Sequence, residues 1–498
     1  MAQRAVPVIA ALIVAGLVIG PVTAVVWRGG GVSALSPADL SALRFTIWQA
    51  LWSAGLSVVL AVPVARALAR RSFLGRSALI SIMGAPFILP VIVAILGLLA
   101  VFGGNGIVNV ILAPLGLPRL DIYGAHGVIL AHVFFNLPLA VRLILQGWLS
   151  IPSERFRVAA SLGAPLFWLL EWPMLRRVVP GAFAVIFVIC IGSFAVALTL
   201  GGGPRATTVE LAIYQAFKFD FDLGKAASLA VVQLALGLGA GAIALLLARG
   251  DFLGAGLDRV VQRWDGSRII DGAWIGSAAA FLLAPLIAIL IAGVPGLLDL
   301  PDSIWRATLR SVFIAVCAVM LTMALALPLA TRAGEAASLL GISVSGLVLG
   351  TGLFLILQPF VRPSSLALPV TLLVNVLMSL PFVLRILRPG IDDARADFGR
   401  LGQSLGLRGV ALWRIVYLPR LRRPMGFAAG LTAALAMGDL GVITLFSRPG
   451  EGTLPLAMYQ LMGAYQMEAA YGAALLLVTL SLGLFWVFDK GGRLNAQA

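Results

Sequence analysis

Apolar runs of about twenty residues recur from one end of this chain to the other, each long enough to cross a lipid bilayer. Nothing constrains the fold more. Inside hydrocarbon every backbone N–H and C=O must find its partner within the protein, so only helices and closed barrels can span. These runs are continuous rather than alternating, so they are read as helices. Only 11% of the 498 residues are charged, against roughly 25% in soluble domains. The expected fold class is therefore an all-α polytopic membrane protein. Spans are placed at about 5–27, 46–70, 78–103, 124–149, 180–200, 226–248, 273–294, 306–332, 337–358, 364–388, 425–446 and 470–489.

Twelve spans put both termini on one side. The loops on that side hold most of the 36 lysines and arginines, including Arg66, Arg70, Arg71 and Arg76, Arg155 to Arg177, and nine arginines from Arg385 to Arg423. Basic residues collect in cytoplasmic loops. The expectation is a multi-pass membrane protein with both termini cytoplasmic. The net charge of +15 is thereby read as topology, with no nucleic-acid partner. The apolar stretch after Arg4 continues to Trp27 and is read as a retained first span rather than a signal peptide.

The chain repeats itself. His132-Val-Phe-Phe-Asn-Leu-Pro138-Leu-Ala-Val-Arg142 resembles Asn375-Val-Leu-Met-Ser-Leu-Pro381-Phe-Val-Leu-Arg385, 243 residues on. Ser161-Leu162-Gly163 matches Ser404-Leu405-Gly406 at the same offset, and Leu211-Ala-Ile-Tyr214-Gln215 matches Leu456-Ala-Met-Tyr459-Gln460. Leu60-Ala-Val-Pro63 and Leu325-Ala-Leu-Pro328 stand near the starts of the two copies. Matches in one order at nearly one offset indicate a duplicated six-span unit. Six is even, so the copies run parallel, related by an axis along the membrane normal. The expected halves are 1–248 (core about 44–248) and 273–498 (core about 306–489), joined by a cytoplasmic linker at 249–272. A substrate path would run between them.

Each half has a loop of about 30 residues between its fourth and fifth spans. One carries Ala159, Ala160 and Gly163 and reaches Pro173; the other carries Gly402 and Gly406 and reaches Leu418-Pro419. Each reads as a helical hairpin, with glycine at a left-handed turn and proline stopping the second arm. These segments resemble the "EAA" loops of binding-protein-dependent ABC importer permeases. The resemblance implies coupling helices that dock on separate ATPase subunits, two copies for two hairpins. The family's leading glutamate is replaced by Arg157 and Arg400, and the glycine-to-proline spacing is three residues shorter in the first half.

A narrower resemblance runs through most of the chain. Gly124–Arg142, Glu171-Trp172-Pro173 with Arg176-Arg177, Gly201–Ala216, and Gly438-Asp439-Leu-Gly441 with Thr453-Leu-Pro455 look like the thiamine importer permeases of Gram-negative bacteria, which are also fused two-half proteins. It implies the type I ABC importer fold. It also implies a place in the bacterial inner membrane, thiamine or its phosphates as cargo, and a periplasmic thiamine-binding protein as a further partner. Iron(III) importer permeases share the fused architecture and are the alternative cargo class; a twelve-span secondary transporter is the alternative mechanism.

No phosphate-binding loop G-x-x-x-x-G-K-[ST] occurs, so ATP-Mg would be used by the partner subunit and this chain would bind no cofactor. No nucleophile–base pair or metal cluster suggests an enzyme. Cys190, Cys317, His126 and His132 are read as packing residues. Ionisable residues within spans are costly and usually functional. Asp439, between Gly438 and Gly441, is the candidate on the substrate path, with Ser193 as its first-half counterpart. Glu210 is placed on an outer loop, where it would meet a delivery protein or stay solvated.

Overall fold

The structure is a computed structural model that describes residues 2–29, 35–84, 89–247, 266–331, 334, 344–407, 410–448 and 450–493. Eleven helices among the described residues are long and apolar enough to cross a membrane. The twelfth expected place is taken by a shorter apolar helix, Gly346–Leu357. The first part of the span expected at 337–358 lies largely outside the described residues, as does most of the expected linker, 249–265.

The first half runs α1 (Ala2–Gly29), α2 (Pro37–Arg70), α3 (Arg76–Ile82), α4 (Val91–Phe102), α5 (Ile107–Leu112), α6 (Ala125–Leu149), α7 (Ser153–Ser161), α8 (Trp172–Ile191), α9 (Ala195–Leu200), α10 (Val209–Lys218) and α11 (Leu223–Leu247). The second runs α12 (Arg268–Gly296), α13 (Asp302–Leu329), α14 (Gly346–Leu357), α15 (Ala367–Ser404), α16 (Leu418–Met437), α17 (Gly441–Phe446), α18 (Leu454–Gly463) and α19 (Met467–Arg493). Helix lengths repeat in order. The pair α4 and α14 has 12 residues each, α8 and α16 20, α9 and α17 6, and α10 and α18 10. Among the described residues Phe221 and Tyr465 are the non-glycine residues with positive φ, and both lie in the turn before a half's final helix.

Local chemistry sets several boundaries. Ser36 and Asp39 cap each other's backbone at the start of α2, with Pro37 in the first turn. Two expected spans are interrupted. That at 180–200 ends at Ile191 and resumes as α9; that at 425–446 ends at Met437 and resumes as α17. The interruptions fall at Gly192-Ser193-Phe194 and Gly438-Asp439-Leu440. The span expected at 78–103 is likewise two pieces, α3 and α4, the second opening at Pro90.

The halves interlock. Helix α1 packs on α14 of the second half as well as on α11, and α12 packs on α4 and α2 of the first half as well as on α19. Close approach needs small residues where the helices cross. A Cβ on Gly352 would stand 2.3 Å from the carbonyl oxygen of Pro21, so α1 and α14 are in backbone contact there. At the hairpin end of the bundle, Asp271 of α12 is buried and receives Arg70 and Arg71 from the end of α2, the latter at 2.7 Å. A buried carboxylate without such partners would be costly.

Candidate functional site between the halves

The two interruptions meet. An ideal Cβ on Gly438 would lie 3.1 Å from Pro90 Cα, and one on Gly441 would lie 3.9 Å from Phe194 and 3.6 Å from Leu347. Thus the break holding Asp439 faces the start of α4 and the first-half break holding Ser193 and Phe194. Asp439 Oδ1 accepts from the Gly441 backbone N–H at 3.1 Å, while Oδ2 is buried and has no hydrogen-bond partner. Ser193 is half-buried at the matching position.

Glu210 belongs to this seam and not to an outer loop. It lies in the first turn of α10, 1% exposed, and neither carboxylate oxygen has a hydrogen-bond partner. Its polar neighbours are Gln233 of α11 and Ser345, which caps α14. Sequence reading misplaced it because α10, at ten residues, is too short to register as a span. It nevertheless folds back into the protein, with Val209, Ile213 and Ala216 buried. The second half carries Pro455 at the position of Glu210 and an acid at the position of Ser193. Each half therefore supplies one acid to the seam, at different places.

Aromatic rings stand on the same elements of the seam. Phe194 and Tyr214 stand edge to face at 5.4 Å, Phe217 and Phe354 at 4.3 Å, and Phe354 and Phe446 at 5.5 Å. Tyr214 and its repeat counterpart Tyr459 are close enough to interact electrostatically. The folded-back helices are pinned in the same way in both halves. Thr46 of α2 accepts the Val209 N–H at 2.9 Å, and Ser311 of α13 accepts the Leu454 N–H at 2.8 Å, both buried. Carboxylates with aromatic faces favour a cationic ligand, since ring faces attract positive charge.

The hairpins form a second candidate site. Gly163 (φ +62°) and Gly406 (φ +67°) both hold the left-handed turn. Ahead of each turn stands an exposed leucine, Leu162 at 75% and Leu405 at 66%. Ala159 is half-buried and Ala160 exposed, while Gly402 is buried against Leu412, where a Cβ would approach Leu412 Cδ1 to 2.9 Å.

The prolines do not stop the second arm, contrary to expectation. A wide π turn, Phe167–Glu171 or Trp413–Tyr417, precedes Pro173 or Leu418-Pro419, and the helix continues through into α8 or α16. Proline's ring would clash with the carbonyl of an ordinary turn; at the start of the span, after a widened turn, the helix runs on. The three-residue difference between the loops lies wholly between the glycine and the π turn. The arms differ before the glycine too. Pro152 starts α7 after a break at Ser150-Ile151, whereas α15 is one 38-residue helix from membrane to hairpin. Glu171 in the first π turn is buried and paired with Arg66 at 2.8 Å.

Among the described residues no group of three or more His, Cys, Asp or Glu side chains could hold a metal. His132 is buried beside Ser53, with 3.3 Å between Nδ1 and Oγ, and Cys190 is buried beside Asn136.

The chain is similar along nearly its whole length to thiamine transport system permease proteins (ThiP). It is 36% identical to that of Brucella abortus over 94% of this chain and 91% of the relative. It is 38% identical to that of Salmonella typhimurium and 39% to that of Escherichia coli, in each case over 90% of this chain and 88% of the relative. No protein-family model matches the chain.

Proposed function

This chain belongs to the thiamine transport system permease family, and we propose that it moves thiamine through the seam between its halves, driven by ATPase subunits docked on the two hairpins. It is the permease subunit of a thiamine ABC importer. The likeness to thiamine permeases over nine-tenths of the chain carries the cargo. That likeness favours thiamine over the iron(III) and secondary-carrier alternatives. The seam adds a chemical reason. Thiamine carries a fixed positive charge on an aromatic thiazolium ring, and Asp439, with the rings of Phe194, Tyr214 and Tyr459, offers the matching anion and π faces. The grip on the ring leaves the alcohol end uncommitted, so thiamine phosphates fall within the same reading.

In the same reading, Asp439, Ser193 and Gly438 line the path, and Gly438 allows the second-half break to lie against Pro90. The partners are a periplasmic thiamine-binding protein on the outer face and two ATPase copies, each taking one hairpin. Leu162 and Leu405 supply the apolar contact, for exposed apolar groups at a rigid tip suit a docking surface. In this reading the hairpin face is the cytoplasmic one, in keeping with its arginines, and both termini lie on that side. ATP-Mg is used by the partner, and this chain binds no cofactor of its own.

The test is uptake of radiolabelled thiamine into vesicles holding the permease, its ATPase and the binding protein, with ATP inside and the proton gradient collapsed. Uptake is expected to persist and to stop when ATP is omitted. Loss of uptake on collapse alone would overturn the reading in favour of a gradient-driven carrier.

A further inference from the structure

On the hairpin face the two halves end differently. In the second half, α16 and α19 touch backbone to backbone. A Cβ on Gly426 would stand 2.6 Å from the Phe488 carbonyl oxygen and 2.8 Å from Gly492 Cα. The matching place in α8 is Pro180, and the last turn of α11 brings Leu247 where α19 brings Gly491. Pro180 and Leu247 are both at the surface of a gap between the first-half helices. A groove of about 820 Å³ opens between α8, α11 and the base of the first hairpin.

Three arginines line it, namely Arg155 from α7 and Arg176 and Arg177 from α8. None of the three has an ion-pair partner among the described residues. The rest of the lining is largely apolar, with Leu169, Leu170, Val178, Leu246 and Leu247. Beside it Trp168 and Trp172 are exposed and stacked edge to face at 5.9 Å, and such aromatics sit at the boundary between headgroups and hydrocarbon. The groove thus joins unpaired positive charge to an apolar channel at headgroup depth.

The geometry points to a binding site for one anionic phospholipid, its phosphate held by Arg155, Arg176 and Arg177 and its acyl chains laid along the leucines. Basic pockets between spans on the cytoplasmic side suit such headgroups. The second half has Arg422 and Arg423 in the places of Arg176 and Arg177, but its helices are closed together and leave no room for acyl chains. The site is therefore single and confined to the first half, beside the more divergent hairpin. A lipid there would brace the base of a hairpin that α7, broken from α6 at Ser150-Ile151, does not brace by itself.

The experiment uses the purified permease–ATPase complex in detergent and measures binding of phosphatidylglycerol by native mass spectrometry and by the rise in melting temperature. Phosphatidylcholine of the same chain length and inorganic phosphate serve as separate probes. Phosphatidylglycerol is expected to bind and stabilise the complex, and the other two to do neither. Each arginine changed to glutamine should weaken binding about fivefold, and R155Q/R176Q/R177Q together on the order of a hundredfold. R422Q/R423Q should bind as the unmodified chain does.

Equal binding by the triple variant overturns the site, as does equal loss in R422Q/R423Q. Stabilisation by inorganic phosphate or phosphatidylcholine alone overturns the lipid assignment. A triple variant that keeps phosphatidylglycerol but sheds the ATPase assigns these arginines to the protein partner instead.

Discussion

Thr46 holding Val209 and Ser311 holding Leu454 are the same joint made twice, yet the acids beside those joints do not repeat. The first half places Glu210 in the first turn of its folded-back helix, where the second has Pro455. The second places Asp439 at its helix break, where the first has Ser193. Scaffold contacts are duplicated and seam chemistry is not. Identical halves would present a two-fold symmetric path, whereas thiamine has an aminopyrimidine at one end and, beyond its charged thiazolium, an alcohol at the other. A path with unlike acids can hold such a molecule in one orientation. The hairpins show the same division. Their turns, exposed leucines and π turns repeat, while their lengths and their attachment to the fourth span differ.

The sharpest way to break this comparison is to make the seam symmetric. Asp439→Asn removes the charge with little change in shape, and Ser193→Ala changes the matching position in the other half. Asp439→Asn should lower thiamine uptake at least tenfold, about 1.4 kcal/mol of lost cation binding. Ser193→Ala should leave uptake within about twofold. Both are read as the concentration dependence of uptake in reconstituted vesicles, with permease abundance measured alongside. Equal effects would show that the acid is structural and that the breaks are interchangeable.

The hairpin comparison gives the next effect. Neither glycine has an atom within 4 Å of an added Cβ, so the first atom that Gly163→Val or Gly406→Val adds meets open space. Each pays only the left-handed backbone cost, about 1–2 kcal/mol for a residue with a Cβ. That shared cost isolates what each hairpin does. Gly406→Val, at the end of the long continuous α15, should cut uptake about tenfold while ATP hydrolysis by the assembled complex persists. Gly163→Val should do less, because α7 is already separated from α6 and can shift. Hydrolysis and uptake measured on the same vesicles decide it. Equal uncoupling would make the hairpins equivalent drivers despite their different lengths.

The sequence was most readable where physics acts locally. Bilayer-length apolar runs gave the spans, and Gly163 and Gly406 stood where a left-handed turn was needed. The proline reading failed because a π turn has no residue signature: Pro173 and Pro419 looked like stops, but the widened turn carries the helix past them. Glu210 was misread because a ten-residue helix falls below the length that marks a span, so a buried segment looked like a loop. The interlocking of α1 with α14 and of α12 with α4 was not legible either. Both helices are apolar around most of their circumference, and such a helix does not announce which neighbour it will meet. The pairing emerges only from close-contact points such as Gly352 against Pro21. The seam was half legible: an acid between glycines drew attention to Asp439, but nothing in the sequence placed Phe194 beside Gly441.

The smallest effect tests the duplicated joint itself. Thr46→Val and Ser311→Ala each leave a buried backbone N–H without its acceptor, which costs about 1–3 kcal/mol. If the joints are equivalent, the two variants should lower the melting temperature of the detergent-solubilised permease by similar amounts, and the double variant by their sum, since the sites share no partner. The chemistry beside the joints leads to a different expectation for transport. Helix α10 carries Glu210 and Tyr214 into the seam, whereas α18 carries Pro455 and Tyr459. Loosening α10 therefore displaces an acid as well as a ring, and Thr46→Val should reduce uptake more than Ser311→Ala at equal loss of stability. Parallel losses of uptake and stability in both variants would mean that Glu210 takes no part in the path and that the asymmetry of the seam rests on Asp439 alone.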